Sequence, residues 1–203
     1  MKKDMTVTYV VDGALYVNVT NRCTNNCDFC IRKNGDGAYG SDSLWLEREP
    51  TEDEILDAVF SRDLSKYSEL VFCGYGEPSI RLETVINVAK KVKEKCQIKV
   101  RINTNGHSSA YHGYDTAPYY EGAFDCVSIS LNTPSSDRYD AICHPDFDNA
   151  HKAMLDFARE VQKYVPRVIL SVVGDFLTED EISDCRAIAD SIGVYLKVRD
   201  YIS

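Results

Sequence analysis

The chain has 203 residues, 44% hydrophobic and 27% charged, with 32 acidic side chains against 23 Lys and Arg and a net charge of −9. This composition excludes a disordered chain, and the acidic balance argues against bulk nucleic-acid binding, which needs a basic surface over the phosphates. No run of 18 apolar residues is present and no apolar stretch follows Lys2-Lys3-Asp4, so the expectation is a cytoplasmic protein without membrane contact. The eight cysteines are then thiols or metal ligands, not disulfides.

The length predicts one domain over residues 1–203, and a strand-then-helix period recurs along it. The first strand expected is 15–19, which delivers a polar loop. Pro50 and a capping box, Thr51 with Glu54 three residues on, open a helix carrying Ile55, Ala58 and Val59. A strand at 70–73, a helix over 82–95 and a strand at 98–102 follow. Further strands are expected at 127–131, 168–173 and 194–198, each a short β-branched run of the kind buried on both faces. Helices lie between them over 149–164, stopped by Pro166, and from a second capping box, Thr178 with Glu181, to Gly193.

Six such units predict an α/β fold with parallel strands and right-handed crossovers, a partial (βα)6 TIM-like barrel. Long loops are expected over 20–50, 104–124 and 132–148. They follow strands, so they gather at the C-terminal face, where barrel chemistry is done.

The first loop carries Cys23, Cys27 and Cys30, C-x3-C-x2-C, with Phe29 before the third cysteine. An odd number of thiols in so short a stretch does not pair off into disulfides. Zinc takes four protein ligands, or three and a water. A [4Fe–4S] cluster takes four cysteines, so three leave one iron open to a small molecule. A zinc knuckle and a reactive-thiol loop are the alternatives, with His107 or His112 as the completing zinc ligand.

This motif resembles the signature of the radical S-adenosylmethionine superfamily. The resemblance implies a [4Fe–4S] cluster held by Cys23, Cys27 and Cys30, with S-adenosylmethionine on the open iron. Reductive cleavage would then give a 5′-deoxyadenosyl radical that abstracts hydrogen from substrate. Three further stretches stand in the family's order: Gly74-Tyr75-Gly76-Glu77-Pro78, Asn103-Thr104-Asn105-Gly106 and Ser128-Ile129-Ser130-Leu131-Asn132. The first departs from the family's Gly-Gly-Glu pattern by Tyr75. The resemblance implies that Glu77 and the backbone of Gly74, Tyr75 and Gly76 hold the methionine amino group. Asn103, Thr104, Ser128, Ser130 and Asn132 would surround the carboxylate and ribose, and Phe29 would pack near the adenine. Together with 43–50, these stretches also resemble the small radical S-adenosylmethionine proteins associated with TatD-type nucleases.

The remaining cysteines, Cys73, Cys96, Cys126, Cys143 and Cys185, have no neighbour at ligand spacing, which argues against a second cluster. The partners expected are a reductant such as flavodoxin or ferredoxin, meeting the basic Arg32-Lys33, and a substrate. The Tyr- and His-rich 107–120 loop favours a small polar substrate. An activase acting on a protein partner, and a non-catalytic zinc or iron–sulfur sensor module, are the competing readings.

Overall fold

A computed structural model describes residues 2–201. Seven strands form one sheet in chain order: β1 (Thr8–Val11), β2 (Ala14–Val17), β3 (Glu69–Phe72), β4 (Lys99–Thr104), β5 (Cys126–Ser130), β6 (Val168–Val173) and β7 (Tyr195–Arg199). The strands from β2 to β7 are all parallel, and each pairs with the next in sequence. Such an order has no reversal point. It winds one way, as in a barrel, with β1 and β7 at the two edges. The expected six-unit parallel core is therefore present.

The sequence reading lacked β1, which pairs antiparallel with β2 from Thr8↔Val17 to Val11↔Ala14. Its turn is Asp12-Gly13, both at positive φ (47° and 76°). That is the backbone a two-residue hairpin with right-handed twist demands, and Asp-Gly is a sequence that supplies it.

Among the described residues six α-helices accompany the sheet: α1 (Glu52–Phe60), α2 (Leu82–Lys95), α3 (Ser108–His112), α4 (Ser136–Cys143), α5 (Ala150–Val161) and α6 (Glu179–Ile192). Both capping boxes are formed, Thr51 with Glu54 and Thr178 with Glu181. α3 and α4 fall in stretches expected to be loops. α4 buries only Tyr139 and Cys143, too thin a stripe to stand out by periodicity.

Alternation along the strands sorts the sheet into two faces. Val17, Phe72, Ile102, Ile129 and Leu170 point into the main core, where they meet Val85 and Val88 of α2 and Met154 and Phe157 of α5. Among the described residues no α-helix contributes to the cluster on the other face, where Tyr9, Val11, Leu44 and Tyr75 pack with Tyr16, Ile31 and Trp45 at the β1–β2 end. The rows of that face, read from the register, include Tyr16–Val71–Arg101–Cys126 and Asn103–Ser128–Ile169–Tyr195. Above them lie Ser130–Ser171–Lys197 and Val173–Arg199. A polar lining on that face cannot be there for packing. Among the described residues no helix is long and apolar enough to cross a membrane.

Candidate functional site

β2 runs directly into the cysteine loop at the C-terminal ends of the parallel strands. The loop's entrance is fixed from the side. Asn21 donates to Leu46 O at 2.7 Å and accepts from Leu46 N at 3.0 Å, and Asn18 Nδ2 donates to Leu44 O at 2.8 Å. Arg22 forks onto Glu49, which also accepts from Thr20 Oγ1 at 2.6 Å. The 43–49 segment is thus a brace for the loop.

The residues between the cysteines are held from beneath. Thr24 Oγ1 accepts from Asn105 Nδ2 at 2.7 Å and lies 3.1 Å from His107 Nδ1. Asn25 Nδ2 donates to the Tyr139 hydroxyl at 2.9 Å, and that hydroxyl lies 3.2 Å from His107 Nε2. Thr24, Asn25, Asn105, His107 and Tyr139 are all buried. The C-terminal turn of α4 adds backbone bonds, Asn26 N to Cys143 O and Asp28 N to Ile142 O, both 2.9 Å. Among the described residues Asn25 Oδ1 is the one buried atom of this network left without a partner; the other bonds tie the loop to β4 and α4.

Cys23, Cys27 and Cys30 are free and partly exposed. Burial pushes the Cys23 thiol up to about 12, and Arg32 opposes the shift. Burial also raises Cys30. Cys27 is raised by its hydrogen bond to the Cys143 thiol first, then by burial. Asn132 Nδ2 donates to Cys143 Sγ at 3.3 Å, so that sulfur is the favoured acceptor. Among the described residues no three metal-ligating side chains are already drawn together. The Cys27 thiol lies against Cys143, and its charge also acts on Cys23 and Cys30.

His107 and His112 do not complete a zinc site. Both His107 ring nitrogens are engaged as above, and His112 Nε2 lies 2.9 Å from Ser79 O. The loop's own donor set is three thiols, and the nearest further thiol, Cys143, lies on α4 against Cys27. That fits a cluster with one open iron better than a closed zinc tetrahedron.

The glycine turn packs closely against the cysteine loop. A Cβ on Gly76 would strike Thr20 O and stand 2.5 Å from Arg22 O. The space is filled by the backbone of the cysteine loop, and Glu77 N donates to Arg22 O at 2.7 Å. A Cβ on Gly74 would strike the Asn18 amide. Tyr75 is buried against Trp45, ring centroids 5.1 Å apart, and donates to Gly35 O at 2.9 Å.

Glu77 is 5% exposed. Its carboxylate accepts from Thr104 Oγ1 at 2.7 Å, Asn105 N at 2.7 Å and Ser79 N at 3.0 Å. Burial raises its pKa, and these bonds counter that. Glu77 and Thr104 therefore satisfy each other and lock the turn after β3 to the turn after β4. Asn132, at φ 62°, is buried and occupied with Cys143. Of the five polar positions, Asn103, Ser128 and Ser130 lie on the helix-free face. Asn103 Oδ1 accepts from Arg101 at 3.0 Å, and no side-chain hydrogen bond ties up Ser128 or Ser130 among the described residues. Phe29 packs on Phe176, 5.3 Å between centroids.

The basic spot is weaker than its sequence. Arg32 donates to Asn25 O at 3.2 Å, and Lys33 lies 3.9 Å from Asp28. Sequence reasoning missed Thr24, Asn25 and Tyr139, named Asn105 only within the turn after β4, and placed His107 in a covering loop. The only signal was the polar Thr-Asn-Asn run between the cysteines.

A barrel-like α/β sheet with a three-thiol loop at the C-terminal strand ends defines a class of cofactor-dependent enzymes. The family model of the Radical SAM superfamily matches residues 17–187, and the chain belongs to that superfamily. Its enzymes use a [4Fe–4S] cluster and S-adenosylmethionine.

A GTP 3′,8-cyclase of Lactiplantibacillus plantarum is 29% identical over 127 residues, 62% of this chain and 35% of the relative. One of Clostridium perfringens is 25% identical over 171 residues, 84% and 49% respectively. The chain thus spans a third to a half of the length of these curated relatives. In fold it is similar to Streptococcus suis SuiB bound to S-adenosylmethionine, with a TM-score of 0.68 at 14% identity, covering 93% of this chain and 38% of that one.

Proposed function

We propose that Cys23, Cys27 and Cys30 hold the [4Fe–4S] cluster and that the chain works as a radical S-adenosylmethionine enzyme on a small polar substrate. When bound, the cluster supplies the electron that splits S-adenosylmethionine, giving a 5′-deoxyadenosyl radical that takes a hydrogen atom from substrate. The observation that carries the reading is the pinning of a loop of three free thiols to β4 and α4 by buried hydrogen bonds.

The chain's own residues do the positioning. Thr24 and Asn25 hold the loop's path against His107 and Tyr139. Glu77 fixes the two turns facing it, which leaves the backbone of 74–76 as the cofactor's wall. Asn103, Ser128 and Ser130 offer hydroxyl and amide groups on the helix-free face to a ribose or carboxylate. Phe29 and Phe176 form an apolar edge suited to a purine ring. That helix-free face, lined with Tyr16, Asn103, Ser128, Ser130 and Ser171, supports a small polar substrate over a protein partner. The finer likeness to TatD-associated proteins rests on the sequence motifs alone and adds nothing about substrate.

Anaerobic reconstitution tests the reading. About four iron and four sulfide per chain are expected, with 5′-deoxyadenosine released on reduction with dithionite. One zinc and no acid-labile sulfide would overturn it.

A further inference from the structure

Arg199 closes β7 on the helix-free face, in register with Val173 of β6, at the strand end nearest the cysteine loop. Its Nε is buried and has no hydrogen-bond partner, and no ion pair or hydrogen bond engages its guanidinium among the described residues. A buried donor without an acceptor costs free energy, and a charged one costs more. The other half-buried cation on this face shows the contrast. Arg101 forks onto both Glu69 oxygens at 2.7 and 3.1 Å, so its charge is answered within the fold.

Lys197, two residues before Arg199 and in register with Ser171, is exposed and has no acidic partner among the described residues. Arg199 lies close enough for its charge to act on Cys73 at the end of β3 and on Tyr39, so it faces across the sheet and not outward. The half-buried Arg199 with its unpartnered Nε, and the exposed Lys197 two residues away, make a local positive field on a chain of net charge −9 that attracts an anion.

We propose that Arg199, assisted by Lys197, binds an anionic group of the substrate, a carboxylate or a phosphate, on the helix-free face. The proposal rests on the reading above for calling the ligand a substrate. A guanidinium fork presents two parallel N–H donors to two oxygens of either anion. It would anchor one end of a small molecule while Asn103, Ser128 and Ser130 meet its polar body.

Thermal unfolding of the reconstituted protein tests this, with pyrophosphate and citrate as probes and sodium chloride at matched ionic strength as control. At a hundredfold excess over Kd, a specific ligand raises the midpoint by about 5–10 °C for a chain of this size. A saturable rise with at least one probe is expected, and its identity separates phosphate from carboxylate. Arg199→Gln should abolish it, and Arg199→Lys should keep part of it.

No rise beyond the chloride control, or an equal rise in Arg199→Gln, overturns the proposal. So does loss of the rise when S-adenosylmethionine is saturating, because Arg199 then serves the cofactor. Iron, sulfide and 5′-deoxyadenosine measured on the same wild-type preparation report separately on the cluster. A protein that loads its cluster and ignores both probes refutes this inference alone.

Discussion

The Tyr139 hydroxyl stands 3.2 Å from His107 Nε2 while accepting from Asn25 at 2.9 Å, and so links α4, the turn after β4 and the cysteine loop. Because Asn25 donates to the hydroxyl, the hydroxyl's own proton is directed to Nε2, which leaves Nδ1–H to donate to Thr24. Tyr139→Phe removes that middle member and strands the Asn25 amide and His107 Nε2. Each buried polar group left unpaired costs about 1–3 kcal/mol, or roughly 2–10 °C in Tm for a chain of this length. Differential scanning calorimetry checks it, and iron content after reconstitution should fall with stability. A variant as stable as wild type would mean that the network is not rigid.

The same network makes stability depend on pH. Burial lowers His107 from 6.5 to about 4. Between these values the unfolded chain binds the proton and the folded chain does not, so stability rises with pH across the window. The contribution is complete above about 6.5 and is lost as pH falls toward 4, amounting to at most about 3 kcal/mol. His151, also lowered by burial, acts with the same sign. Glu77, raised by burial, acts oppositely above its unfolded value. Urea titrations at pH 7.5, 6 and 5 should therefore show a falling midpoint, and His107→Asn should flatten the slope. An unchanged slope in that variant would assign the pH dependence elsewhere.

Gly76→Ala should cost the fold and the cluster together. The added Cβ meets Thr20 O and Arg22 O, backbone atoms of the loop that leads into Cys23, and neither can move without moving the cysteines. The expected result is a fall of more than half in reconstituted iron, with a lowered Tm. Ser130→Ala, on the helix-free face, should load iron as wild type does. Full iron in Gly76→Ala would show that the loop yields freely and that the turn serves the cofactor's approach alone.

The parallel core and the cysteine loop were legible because their signals are local. Val168–Val173 is the same in sequence reading and structure, as are the ends of α2 and both capping boxes. The hairpin before β2 had its own local signal in Asp12-Gly13, which the search for parallel units passed over. The support of the loop was not legible at all. Thr24 meets His107 across 83 residues, and Asn25 meets Tyr139 across 114. Nothing in either neighbourhood encodes the pairing. Motif order suggested Glu77, Thr104 and Asn132 as direct cofactor contacts. The structure adds pairings that motif order does not encode: Glu77 with Thr104 and Asn105, and Asn132 with Cys143.

Cys143 is the thiol nearest to competing with the three in the loop. It holds the Cys27 thiol by a hydrogen bond and is itself held by Asn132 at 3.3 Å, from a buried position at the end of α4. If the loop cysteines are the ligands, Cys143 is a resting place for Cys27 before the cluster forms. Cys143→Ala then removes only a small side chain and the partner of Asn132, at a cost of about 1–2 kcal/mol. It should bind about four iron per chain. Cys23→Ala, Cys27→Ala and Cys30→Ala should each lose most of it, read by iron and sulfide analysis and by the reduced cluster's electron paramagnetic resonance signal. Loading should also be faster in Cys143→Ala, because Cys27 no longer has a hydrogen bond to break. If Cys143→Ala loses its iron as fully as Cys27→Ala while keeping its fold, Cys143 is a ligand, and the open iron assigned to S-adenosylmethionine would be closed.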